Sequence, residues 1–130
     1  MADLMILAHG ASWEMRFQVS ALAASAAAAG EEAEVALFFG SLAAWVEGRW
    51  DALDPAPPVT AERLERLDLP PLSSLLAAGR DGGRIRIYAC SASTRVLGLD
   101  MARVQEAVDA VLGWQSLSRM TATAGRVVSF

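Results

Sequence analysis

Apolar residues in this chain fall into short unbroken runs that alternate with longer mixed segments. Leu4 to Ala8 is such a run, closing on His9-Gly10, the form of a strand buried on both faces of a parallel sheet. Ser12 is placed to cap the next segment, Glu14 complements the dipole in the first turn, and the alanine-rich run ends at Ala29-Gly30, which predicts a helix. Glu34 to Phe39 repeats the pattern of an apolar run closing on glycine, and a short second helix is expected from Ser41 to Glu47. Arg84-Ile-Arg-Ile-Tyr-Ala89 alternates at its start and reads as the third strand, succeeded by a helix from Ser91 or Ser93 to Leu97 with Gly98 as its stop. A helical turn at Gln105 to Asp109, a brief strand at Ala110 to Gly113, a last helix from Trp114 to Ala124 and a closing strand at Arg126 to Phe130 complete the series. Strands alternating with helices at this spacing predict an α/β fold. It has three layers, α/β/α, around a parallel or mostly parallel sheet of about five strands.

One segment breaks the rhythm. All five prolines lie between Pro55 and Pro71, inside a stretch from Gly48 to Leu72. Within it Thr60 to Leu67 has the spacing of two helical turns with Leu64 and Leu67 inward, isolated by proline on both sides. We read residues 1–130 as one domain with a proline-rich excursion at about 48–71, which is either a flap or interface arm or a plain surface connection. Leu72 to Ala78 reads as a helix stopped by Gly79, with Asp81-Gly-Gly83 as the turn into the third strand.

Composition narrows the function. Of 130 residues, 54% are hydrophobic and 20% charged, enough for one packed core. The net charge of −4 gives no basic footprint for phosphate backbones, so nucleic acid is not an expected partner. All eleven basic residues are arginine, which excludes Schiff-base lysine chemistry and the P-loop. One cysteine cannot form an internal disulfide, so the cytoplasm is the expected compartment. The start Met-Ala-Asp-Leu lacks the basic region of a signal peptide, and no apolar run spans a bilayer, so no membrane partner is expected.

Candidate chemistry collects at the predicted strand ends: His9-Gly10, Gly40-Ser41, Cys90-Ser91 and Gly113-Trp114, which share one edge if the sheet is parallel. Cys90 passes from strand to helix, where amide groups and the positive dipole end favour a thiolate, with Ser91, Ser93 and Thr94 as further donors and Arg95 as a nearby charge. A buried cysteine packed as a small hydrophobe beside Ala89 fits the same position. His9 is the only histidine, and it meets Cys90 as an activating base if the first and third strands are neighbours; a hydrogen-bonded structural histidine is the alternative. One cysteine and one histidine are too few for a tetrahedral metal site, and no metal or cofactor is expected. Gly10 to Glu14 and Gly79 to Gly83 fit neither the dinucleotide nor the P-loop spacing. Trp13, Trp45, Trp50 and Trp114 suit a pocket, an oligomer interface or core equally. Glu62, Glu65 and Asp68, set among arginines, read as a solvated face.

The run Ile87-Tyr-Ala-Cys-Ser-Ala-Ser-Thr-Arg-Val-Leu-Gly-Leu99, with Val108-Asp-Ala-Val-Leu-Gly-Trp114 and a helix after it, resembles the DsrE/DsrF-like family. That family includes sulfur-relay subunits and stand-alone, peroxiredoxin-like members. The resemblance covers most of the chain, with the first half matching in pattern only. It implies a compact DsrEFH-like α/β/α domain of flavodoxin-related architecture that assembles as a homo-oligomer, a trimer or hexamer. It also implies that Cys90, and no other residue here, carries a persulfide between donor and acceptor proteins; the strand-end positions, not the resemblance, make His9, Gly10, Gly40, Ser41, Ser91, Ser93 and Trp114 the residues expected to shape or support its pocket. Two functions are compatible with these residues: a sulfur carrier acting through Cys90, or a non-catalytic oligomeric ligand-binding or assembly module whose cysteine is inert. Thiol peroxidase chemistry would need a partner thiol, since no resolving cysteine is present.

Overall fold

The computed structural model describes residues 2–55 and 58–130; Ala56 and Pro57 of the proline-rich excursion, and Met1 of the expected untargeted start, lie outside the described residues. In chain order the elements are β1 (Leu4–Ala8), α1 (Trp13–Ala28), β2 (Ala33–Leu37), α2 (Phe39–Val46), α3 (Ala61–Leu67), α4 (Leu72–Asp81) and β3 (Ile85–Cys90). They continue with α5 (Ser91–Val96), α6 (Met101–Ala107), β4 (Ala110–Leu112), α7 (Trp114–Thr123) and β5 (Arg126–Ser129). The five strands form one sheet in the order β4-β3-β2-β1-β5, with every pairing parallel.

That order fixes where the helices lie. From β1 through β4 each crossover steps the same way along the sheet, so right-handed connections place the intervening helices on one face. Leu42 and Ala44 of α2, Leu72 and Leu76 of α4 and Val104 of α6 accordingly share a core with Val19, Ala23 and Ala26 of α1 and with alternate strand residues: Leu4, Ile6, Val35, Leu37, Ile85 and Ile87. The last crossover, from β4 to β5, runs the other way, and its helix α7 packs on the opposite face. Leu117 there meets Met5, Ala36, Phe38 and Cys90. The fold is therefore the predicted three-layer α/β/α arrangement, with one outer layer rich in helices and the other, among the described residues, a single helix.

Local signals explain most boundaries. Ser12 accepts from the Met15 amide and caps α1. Gly30 lies just past α1 at φ 84°, a left-handed position that glycine occupies without strain. Three boundaries depart from the sequence pattern. The α2 helix begins at Phe39 rather than Ser41: Phe38, still extended, bonds to Ala8 O at the end of the β1–β2 ladder, and Phe39 at φ 38° turns the chain out of the sheet. The α4 helix runs through Gly79 to Asp81: a side chain at Gly79 would strike Ile85, so this glycine permits close packing instead of ending the helix. The α6 helix starts at Met101 rather than Gln105, because Asp100 accepts from the Ala102 amide and caps it there. Leu67, expected inward, is 61% exposed, whereas Leu64 packs against the core.

The excursion is fastened on both sides. The buried Arg16 guanidinium donates to the carbonyls of Arg49, Trp50 and Ala52 and meets Asp54, whose carboxylate also accepts the Trp13 amide at 3.0 Å. Asp51 accepts from the Ser73 amide and hydroxyl at the start of α4. Trp50 and Trp13 are core residues, and the Trp50 indole donates to Ser20, whose hydroxyl bonds Arg16 O. Burial pushes the Arg16 guanidinium below its ordinary value, with the Asp54 carboxylate acting against that shift.

Candidate functional site at the carboxyl edge of the sheet

Because all strands are parallel, their carboxyl ends share one edge, and helices α1, α2, α5 and α7 start there. Chain order reverses at β1, which lies between β2 and β5, and open α/β sheets bind ligands at such a reversal. A cleft of about 310 Å³ occupies this position, lined by Leu7, His9, Phe38, Phe39, Trp114 and Ser129.

The register builds this edge. Ala8, Leu37 and Ala89 pair across β1, β2 and β3, so the next residue of each chain is His9, Phe38 and Cys90. Cys90 in turn pairs with Leu112. His9 and Cys90 therefore end strands that are not neighbours: β2 intervenes, and two sheet spacings amount to about 10 Å. The activating His9–Cys90 pair, which needs adjacent strands, does not form, and Phe38 stands between the two positions.

Each residue of the edge has a distinct setting. Cys90 is wholly buried in the apolar cluster of Met5, Ala36, Phe38 and Leu117. It occupies the N-cap position of α5 without a side-chain capping bond, and its carbonyl accepts the Thr94 hydroxyl at 3.0 Å. Ser93, also fully buried, finds no hydrogen-bond partner for its hydroxyl among the described residues, and Ser91 is partly buried. His9 is exposed, and its amide, like that of Gly10, is taken by Phe130 O at 2.8 and 3.2 Å. Ser41 donates from its buried hydroxyl to Gly10 O at 2.6 Å and so ties the β2–α2 junction to the β1–α1 junction. These junctions touch closely: a side chain at Gly40 would come within 2.6 Å of the Ala11 methyl, and one at Gly10 would overlap Met15. Gly10, Gly40 and Ser41 thus hold the edge together behind the cleft.

Aromatic residues dominate the open part. Phe38 and Trp114 stack with centroids 5.1 Å apart and planes at 28°. Phe38 is buried, while Trp114 is 55% exposed. Phe39, 45% exposed, holds φ at 38°, one of two positive values among the described residues that are not glycine. For a bulky aromatic residue this conformation is strained. His9 and Trp114 were legible from sequence as strand-end residues. Phe38 and Phe39 were not, because an aromatic pair closing an apolar run reads as strand.

A second, larger cleft of about 440 Å³ lies between α1, α3 and α4, lined by Trp13, Phe17, Leu53, Leu64, Leu72 and neighbours. It contains no strand-end residue, and its Asp51 is already bonded to Ser73. Among the described residues no group of His, Cys, Asp and Glu is arranged to hold a metal, and no helix is long and apolar enough to cross a membrane. No protein-family model matches this chain, and no curated protein matches it.

Proposed function

We propose that this protein is a sulfur carrier in which Cys90 holds a persulfide between a donor and an acceptor protein. The observation that carries the reading is the position of the chain's only cysteine. It ends β3 and opens α5 at the carboxyl edge, one aromatic residue away from the cleft beside His9. The resemblance of its surrounding run to the DsrE/DsrF-like family supplies the role. In the loading step the Cys90 thiolate attacks the terminal sulfur of a donor persulfide. An S–S bond forms on Cys90, the donor S–S bond breaks, and the donor leaves as a thiolate, with no net oxidation. An acceptor thiolate takes the sulfur by the same exchange in reverse.

Burial of Cys90 gives this reading a definite requirement: the Phe38–Trp114 stack moves aside when a partner docks. Trp114 is the first residue of α7, next to Gly113, and is already half exposed. A closed stack then shelters the sulfane sulfur from competing thiols in a reducing cytoplasm. The test is loading with glutathione persulfide, read by intact mass. Wild type gains one sulfur on Cys90, Cys90→Ser gains none, and Trp114→Ala loads faster. If neither wild type nor Trp114→Ala takes up sulfur while the unfolded chain is labelled at Cys90, the carrier reading fails.

A second reading is favoured by the complete burial of Cys90 beside the exposed Phe39 and Trp114: a non-catalytic homo-oligomeric ligand-binding or assembly module with an inert thiol. A trimer or hexamer by light scattering whose Cys90 is modified by a neutral alkylating reagent only on unfolding, in Trp114→Ala as in wild type, would select it.

A further inference from the structure

We infer that the cleft at the carboxyl ends of β1 and β5 binds a flat aromatic acid. The inference does not depend on the chemistry of Cys90, which does not line the cleft. Two aromatic side chains border it with unusual exposure, Phe39 at 45% and Trp114 at 55%. Exposed surface on large aromatic residues at a concave site marks binding, because each leaves apolar area in water without return in packing.

Phe39 adds an independent sign. Its left-handed backbone is one that glycine would adopt freely, yet the chain places a phenyl group there, and strain held at a cleft points to use. Trp114 already stacks on the Phe38 ring, and with 55% of its surface exposed it keeps area open for a further stacked ring. The volume of about 310 Å³ is at the small end of ligand pockets and suits one or two fused rings.

The charge of the ligand is set by the groups around it. Among the described residues no carboxylate side chain lines the cleft, and His9 is the only titratable residue that does. Helices α2 and α7 both begin at lining residues, Phe39 and Trp114, and neither has a side-chain capping bond. Their first amide groups and positive dipole ends complement an acidic substituent, whereas the amides of His9 and Gly10 are occupied by Phe130 O.

The test is calorimetric titration of the full chain with three compounds: 2-naphthoate, its saturated decahydro analogue and 2-naphthol. Binding of 2-naphthoate is expected to exceed that of the saturated acid by about two- to tenfold, the worth of aromatic pairing. It should exceed 2-naphthol by about two- to fivefold, the worth of a charge at helix termini. Trp114→Leu and Phe39→Gly should each weaken 2-naphthoate by a similar two- to tenfold, about what one aromatic contact contributes. Cys90→Ser should bind as wild type does, which separates this site from sulfur transfer. Phe39→Gly controls for folding: glycine accepts the positive φ and alanine does not, so Phe39→Gly should melt above Phe39→Ala, reversing the usual order in a helix. Failure of 2-naphthoate to bind, equal binding of the saturated acid or of 2-naphthol, or unchanged affinity in both aromatic variants would overturn the assignment.

Discussion

The two faces of the sheet are built to different specifications. On the face under α1, α2, α4 and α6, the strand residues Leu4, Ile6, Val35, Leu37, Ile85 and Ile87 are at most 1% exposed, and all are aliphatic. On the α7 face the corresponding positions are Met5, Leu7, Glu34, Ala36, Arg86, Tyr88 and Cys90, a mixture of thiol, charge, phenol and flexible apolar groups. One helix cannot cover five strands: Arg86 and Val127 are exposed, and Glu34 is only partly buried. The direction of the crossovers produces this asymmetry, since three step one way and one steps back. A face with spare packing carries stability; a face left half covered has room for a cleft, a sheltered thiol and a titrating phenol.

The contrast is broken most strongly by removing a side chain from the packed face. Ile87 has no exposed surface, and Ile87→Ala should cost about 3 kcal/mol, because the cavity left among close-packed aliphatics cannot collapse. Arg86→Ala, the adjacent residue on the other face, should leave the denaturant midpoint almost unmoved. Equal losses for the two would contradict the difference between the faces. A smaller loss is expected at Arg16, a charged residue buried at the border of the packed layer. Arg16→Met keeps the stem but leaves the carbonyls of Arg49, Trp50 and Ala52 without their donor, at a cost of about 2 kcal/mol. Its particular signature is local: limited proteolysis should cut the residue 49–55 segment before the rest of the chain. A variant that loses stability with no new cleavage there would mean that Arg16 does not fasten the excursion.

Much of the packed face was legible, because its strands are unbroken aliphatic runs and its helices carry their own punctuation at Ser12, Gly30, Thr60 and Gly98. The strand ends were legible too, and with them His9, Cys90 and Trp114. Strand order was not, and every statement about who meets whom at the edge depends on it. The His9–Cys90 pair requires β1 beside β3; the observed order puts Phe38 between them. Nor was the role of Arg16 legible, since its partners lie 33 to 38 residues away in a segment without periodicity. Phe39 was hidden for a local reason: two consecutive phenylalanines after Val-Ala-Leu carry strand propensity, and only the tertiary setting of its neighbours, Phe38 bonded to Ala8 O and Gly40 set close against Ala11, makes the second a strained helix start.

The mildest prediction sharpens the contrast most, because it reads a single group on the open face. Tyr88 is the only tyrosine in the chain, so ultraviolet absorbance of phenolate in a pH titration reports that group alone. Burial raises its pKa, the Glu34 carboxylate raises it further, and the Arg86 guanidinium opposes both. The midpoint should therefore lie above the ordinary value of about 10. The folded state then binds the proton more tightly than the unfolded chain does. The contribution of Tyr88 to stability is complete below about pH 10 and is lost as pH rises through its elevated folded value. Glu34→Gln should lower the midpoint and Arg86→Met should raise it, while Tyr88→Phe should flatten the alkaline fall in melting temperature. A midpoint at or below that of a free phenol would mean that water reaches Tyr88 freely, and that the α7 face is more open than one helix across its middle would leave it.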